Sequence, residues 1–121
     1  MEREVAGFGL RLEGKSQGDD LMVMLYGGEK PHIGSVCVSV PRESLKKDGS
    51  VSCTTSVVNL LGHKDEILGR MVSETLCVRY QTVTVCTCGV HIDHATKEQL
   101  DDIVMTVKRM LAEVSSTDQK L

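Results

Sequence analysis

Apolar positions along this chain change period part-way. Over the first sixty residues they mostly alternate in twos, the spacing of strands; later they recur at the spacing of helices. "EVAGFGLRLEG" (4–14) alternates, with Phe8, Leu10 and Leu12 on one side. "GKSQGDD" is a turn by its Gly and Asp content. "LMVMLYGG" (21–28) is almost continuously apolar, as for a strand covered on both faces. "GGEKP" is the next turn, and "HIGSVCVSVP" (32–41) is a third strand closed by Pro41. "RESLKKDGS" is a polar connection with a short helical turn, and "VSCTTSVVNL" (51–60) is a fourth strand.

In "GHKDEILGRMVSETLCVRY", Ile67, Leu68, Met71, Val72 and Leu76 share one helical face, after Gly62 and His63. Asp65 and Glu66 fill its first turn, which suits the helix dipole. "TVTVCTCGV" (82–90) is a fifth strand. Thr96 and Gln99 form a capping box, and Leu100, Ile103, Val104, Val107, Leu111 and Val114 continue as an apolar stripe. The order β-β-β-β-α-β-α predicts an α+β fold of two layers: a mostly antiparallel sheet of five or more strands, with two helices on one face. Strand four, the first helix and strand five read as a βαβ unit with a right-handed crossover. The 121 residues are expected to form a single domain, 1–121, with a polar tail from about 115.

Composition narrows the partners. The net charge of −3 and only three aromatic residues, Phe8, Tyr26 and Tyr80, argue against nucleic acid. No apolar run has membrane-spanning length, so no membrane is expected, and the charged start lacks a signal-peptide core, which predicts a cytoplasmic protein. Five cysteines, odd in number and set in strand-like runs, read as reduced thiols.

The expected topology brings loops distant in sequence to one end of the sheet. His32 begins strand three, His63 follows strand four, and His91, Asp93 and His94 follow strand five. Such a rim supports several chemistries. His32, His63, His91 and Asp93 are a ligand set for a metal, although their spacing matches no compact zinc motif. "GHK" at a helix start, with Lys64 as a point charge, suits a phosphate, opposed by Asp65 and Glu66. A histidine can act as general acid or base, but no Ser or Cys nucleophile stands at a recognisable spacing. The same residues can also simply cap loops.

A second feature is a sheet face of small side chains. Ser35, Cys37 and Ser39 from strand three and Thr82, Thr84, Cys86 and Cys88 from strand five carry no charge. Taken as the face without helices, it calls for a cover, and a homodimer is the simplest.

"GGEKPHIGSVCVSV", "GHKDEILGR" and "GVHIDHATKEQLDDI", in that order, resemble the prenylated-flavin chaperone family typified by the small D subunit of bacterial gallate decarboxylase. That family is related in fold to the proteasome-assembly chaperones three and four. The resemblance covers roughly residues 4–114. It implies a small dimeric α+β protein that binds prenylated FMN, or FMN, without catalysis and serves a UbiD-type decarboxylase. The motif positions are Gly27, Gly28, Pro31, His32, Ile33 and Gly34, then Gly62, His63, Lys64 and Asp65, then Gly89, His91 and Asp93. Of these, His32, Gly34, Gly62, His63, Lys64, His91 and Asp93 are the candidate cofactor-binding residues, with no metal ligand and no catalytic residue. The flavin phosphate would suit the helix start at Gly62, His63 and Lys64. Tyr26 and Phe8 are the ring-stacking candidates outside the first helix, which suits a carrier that must release its cargo. Cys37, Cys86 and Cys88 lie outside the family pattern and leave open a redox variation. Two alternatives stand beside this reading: a protein-assembly or interaction module like the proteasome chaperones, and a small histidine-dependent metal enzyme.

Overall fold

A computed structural model describes residues 1–46, 48–60 and 65–116. The elements follow in the order β1 (Glu2–Val5), β2 (Phe8–Gln17), β3 (Asp20–Gly28), β4 (Ser35–Glu43), β5 (Val51–Asn59), α1 (Asp65–Tyr80), β6 (Thr84–His91) and α2 (Lys97–Ser116). The expected first strand is two strands. Ala6 and Gly7 both take positive φ, 53° and 82°, and fold β1 back on β2 through a two-residue turn.

Six strands form one sheet in the order β1-β2-β3-β6-β4-β5. β3 and β6 are parallel and every other pair is antiparallel, so the fold is α+β with a mostly antiparallel sheet. The strands joined by α1 run parallel, because both oppose β4, yet β4 lies between them. The crossover therefore passes over one strand, and the parallel neighbour of β6 is β3.

Alternation sends Leu10, Leu12, Leu21, Val23 and Leu25 to the helix side, where they meet Leu68, Val72 and Leu76 of α1 and Ile103, Val107, Met110, Leu111 and Val114 of α2. The capping box forms as expected: Gln99 N–H donates to Thr96 Oγ1 at 3.1 Å, and Thr96 N–H donates to Gln99 Oε1 at 2.9 Å. Ile67 departs from the expected helical face and is exposed. The buried stripe of α1 instead includes Gly69, Ser73 and Cys77.

The small-residue face is also corrected. Ser35, Cys37, Ser39, Thr84, Cys86 and Cys88 are all buried, and they lie under α1 rather than opposite it. The reason is close packing. A Cβ on Gly69 would stand 2.9 Å from Cys37 Sγ and 3.3 Å from both Cys88 Cβ and Ser35 Oγ. Small side chains on both layers let the helix settle there. Three of the hydroxyls form a chain: Ser39 Oγ donates to Ser73 Oγ at 2.9 Å and lies 2.8 Å from Thr55 Oγ1, which donates to Glu74 at 2.7 Å, whereas the buried Ser35 Oγ has no hydrogen-bond partner. The face without helices is the alternate set, with Met22, Met24 and Tyr26 on β3, Val36, Val38 and Val40 on β4 and Val85 on β6.

The packing at Gly69 is testable. Gly69→Ala should gain up to about 1 kcal/mol of helix propensity, yet overpacking of about 1–3 kcal/mol should outweigh it. Urea unfolding should show a net loss. Cys37→Ala, which removes the opposing sulfur, should make Gly69→Ala less costly in the double variant than in the single one. Equal costs in both backgrounds would mean that the sulfur does not limit the approach.

Candidate functional site

Three chain segments meet where β3 and β6 end and β4 begins. After Gly28 the chain turns across the end of β6, and the N–H groups of Glu29 and Lys30 both donate to His91 O, at 2.7 and 3.2 Å. The loop then crosses Gly89 so closely that a Cβ there would lie 1.7 Å from His32 O. It rejoins the sheet where Gly34 N–H donates to Cys88 O at 2.8 Å. His32, expected as the first residue of a strand, therefore sits in this loop, and β4 starts at Ser35.

The loop is held from the other layer by Asp65, the first residue of α1 and 4 % exposed. Its Oδ1 accepts the Val90 N–H at 3.0 Å, and its Oδ2 lies 3.1 Å from His32 Nε2. The other ring nitrogen, Nδ1, lies 3.0 Å from Lys30 O. Both neighbours of the ring are acceptors, so both bonds form together only when the ring carries two protons. Gly34 makes room for this contact: a Cβ there would lie 2.0 Å from Asp65 Oδ2.

His91 stands beside His32, with ring centroids 6.2 Å apart and nearly perpendicular planes. His91 Nε2 lies 2.8 Å from Asp93 Oδ1, so these two side chains meet. Lys30 Nζ lies 3.5 Å from Asp93 Oδ2, and Asp93 N–H donates to Glu29 Oε2 at 3.0 Å. His91, with a smaller contribution from Lys30, holds the Asp93 carboxyl below its usual range.

The structure thus brings together His32, Gly34, His91 and Asp93 from the expected site. Gly62, His63 and Lys64 lie outside the described residues, as does the tail from 117. His94 is exposed, at φ 52°, in the approach to α2. Sequence reasoning read Asp65 as a dipole partner and a motif position and missed its pairing with His32. The signal was a carboxylate in the first turn of a helix that starts beside a histidine-bearing loop. Lys30 and Glu29, which join the rim, were read only as turn residues.

Among the described residues no three His, Cys, Asp or Glu side chains converge in a way that could hold a metal ion. No described helix is long and apolar enough to cross a membrane. A cleft of about 470 Å³ between β1 and α2, lined in part by Arg3 and Arg109, contains none of the candidate residues.

A family model described as the prenylated flavin chaperone LpdD-like domain matches residues 4–118. The chain belongs to this family. The match spans the loop, Asp65 and the end of β6, so the whole rim lies within the family's domain. A prenylated-flavin chaperone role is what the family's description carries. No curated protein sequence matches the chain closely enough to count as a relative.

The five thiols are free. Burial raises Cys37, Cys86 and Cys88 above the usual thiol range and takes Cys77 to about 11. Only Cys53 is partly exposed. A raised value keeps a thiol neutral, and the thiolate is the reactive form. At pH 8, iodoacetamide should therefore label Cys53 first, and the other four only after denaturation, as read by peptide mass spectrometry. Fast labelling of Cys86 or Cys88 in the folded protein would contradict this packing.

The Asp93 carboxyl gives a second test. Its lowered value means that it stabilises the fold above the ordinary carboxylate range, near pH 3.9. That contribution is lost as pH falls through its own lower midpoint. A carbon-13 titration should place Asp93 below the ordinary range, and His91→Ala should move it upward. An unchanged midpoint in the variant would remove His91 as the main cause.

Proposed function

We propose that this chain is a non-catalytic carrier that holds prenylated FMN, or FMN, at the histidine rim and serves a UbiD-type decarboxylase. The observation that supports it best is the convergence of His32, His91 and Asp93 on one rim in a chain of the prenylated-flavin chaperone family. A flavin mononucleotide carries ring carbonyls, a ring N–H, sugar hydroxyls and a phosphate. The rim has donors in Lys30 and His91 and acceptors in Glu29 and Asp93, which fit the ring edge and the hydroxyls. The fit to phosphate is poorer among the described residues: Lys30, His32 and His91 each already face a carboxylate. Gly62, His63 and Lys64 keep the phosphate role that the motif suggests for them. When bound, the group brings the flavin's electron-accepting ring, whose use belongs to the decarboxylase. Binding, orienting and releasing are the tasks of this chain, and the decarboxylase and a second copy are its proposed partners.

One observation favours a second reading. The middle of the sheet face away from the helices is apolar, with Met22, Met24, Val36, Val38 and Val85 side by side and charge only toward its ends. A protein-assembly module resembling the proteasome chaperones would use such a face for a partner.

Protein purified from a host that makes prenylated FMN should carry a chromophore in an absorbance scan, and FMN fluorescence should fall on titration with apoprotein. His91→Ala should weaken binding about tenfold, at the upper end for one lost hydrogen bond. His94→Ala should leave it unchanged. A colourless protein that also leaves FMN fluorescence untouched overturns the carrier reading. A stable protein partner without chromophore would favour the assembly module.

A further inference from the structure

The seam between α1 and β5 carries a pair of thiols that the flavin reading does not use. Along this seam the helix and β4 keep step. Gly69 stands over Cys37, and Ser73, one turn further along the helix, stands over Ser39, two residues further along the strand. The lengths agree, because four helical residues rise about 6 Å and two strand residues about 6.6 Å. The next step brings Cys77 over Pro41, whose register partner on β5 is Cys53. Alternation puts Cys53 on the helix side too: Thr55 pairs in register with Ser39 and shares its face, and Cys53 lies two residues away on that face. Both side chains reach α1 through Glu74. Thr55 Oγ1 donates to Glu74 Oε2 at 2.7 Å, and Cys53 Sγ lies 4.0 Å from the same oxygen. Cys77 is the next turn of the helix beyond Glu74, and its thiol meets the Cys53 thiol. Burial first, then Cys53 and Glu74, push Cys77 up to about 11.

We infer that Cys53 and Cys77 are an attacking and a resolving thiol, which a hydroperoxide closes to a disulfide between β5 and α1. Exposure divides the two roles. Cys53 is partly exposed on an edge strand, so a small oxidant reaches it, whereas Cys77 is buried. In the first step Cys53 gives its proton to solvent, and its thiolate attacks the terminal oxygen of the hydroperoxide. The O–O bond breaks, the departing oxygen takes a proton from solvent, and Cys53 is left as a sulfenic acid. In the second step the Cys77 sulfur attacks the Cys53 sulfur. The S–O bond breaks, the S–S bond forms, and the departing hydroxide leaves as water with the Cys77 proton. Two thiols thus lose two electrons and two protons to one hydroperoxide. Cys77 needs no exposure for its step, because its target is already its neighbour. Cys37 and Cys86 stand directly opposite in register but are closed off under α1, so neither offers a first sulfur to an oxidant. Neither step involves the flavin cargo. The bond would close the chain from 53 to 77 into a loop, and that loop includes the motif positions Gly62, His63, Lys64 and Asp65.

Peptide mapping of the full chain under non-reducing conditions tests this. After treatment with hydrogen peroxide, the tryptic peptides 48–64 and 71–79 should be joined through Cys53 and Cys77, two hydrogens lighter than their sum. Dithiothreitol should separate them. The joined fraction should not change with protein concentration, because the bond lies within one chain. Cys77→Ser removes the resolving sulfur, so dimedone should trap the Cys53 sulfenic acid several-fold more in the variant than in the wild type. Cys53→Ser, at the partly exposed position, is the second variant should the buried substitution fail to fold, and it should leave Cys77 unoxidised under the same treatment. A folded wild type in which Cys53 and Cys77 both stay free, or in which Cys53 oxidises without joining Cys77, overturns the inference. So does a bond from Cys53 to another chain or to Cys37, Cys86 or Cys88. Equal dimedone trapping in the wild type and in folded Cys77→Ser overturns it as well, and so does oxidation of Cys77 at the wild-type rate in Cys53→Ser.

Discussion

One buried carboxylate joins the parts of the chain that meet at the rim. Removing a carboxylate from water is costly unless every lone pair finds a partner. Asp65 meets that demand with the Val90 N–H, with His32 and with its place in the first turn of α1, where free N–H groups favour negative charge. Each partner belongs to a different segment: the end of β6, the loop after β3, and the helix. The loop cannot lift from the sheet without stranding the carboxylate. The tight places follow from the same point, since Gly34 leaves room for the Asp65 carboxyl and Gly89 leaves room for the loop backbone.

The helix can deliver Asp65 to that position because it lies low on the sheet. Under α2 the sheet presents leucines and valines, and the core there is conventional in size. Under α1 it presents Ser, Cys and Thr against Gly69, Ser73 and Cys77. Small against small reduces the apolar area buried per residue but shortens the distance between layers. The hydroxyl chain through Ser39, Ser73 and Thr55 to Glu74 pairs most of the polar atoms of this thin seam, and Ser35 Oγ is left without a hydrogen-bond partner. Cys37, Cys86 and Cys88 are buried in this seam with their thiols held neutral, which makes them packing residues.

Much of this was legible in the sequence. Thr96 and Gln99 announced the start of α2, and the order of periods announced an α+β sheet with two helices. Strand direction alone was enough to bring His32, His91 and Asp93 to one end. Three things were not legible, each for a physical reason. Period-two alternation says that Cys37 and Val38 face opposite ways, but not which way the helix lies when both sets are uncharged; Gly69 decides it by allowing close approach. Direction does not specify adjacency, so β6 entered between β3 and β4 instead of beside β5. Ala6 and Gly7 form a turn so short that the alternation of 4–14 reads straight through it.

The rim has two tiers, and the difference suits the proposed carrier. His32 and Asp65 form the inner tier, where the carboxylate is buried and exchange of partners would leave a charge unpaired. His91, Asp93 and Lys30 form the outer tier, and all three side chains are substantially exposed. Exposed ion pairs add little net stability, so water or a ligand can replace one member at small cost. A cargo that drew its hydrogen bonds from the outer tier would bind without disturbing the loop and would leave without unfolding it. A site built wholly from the inner tier would hold its ligand more firmly, but release would then require opening the loop. The division lets one short segment do both tasks: Asp65 fixes where the rim is, and the exposed pairs leave it free to change hands.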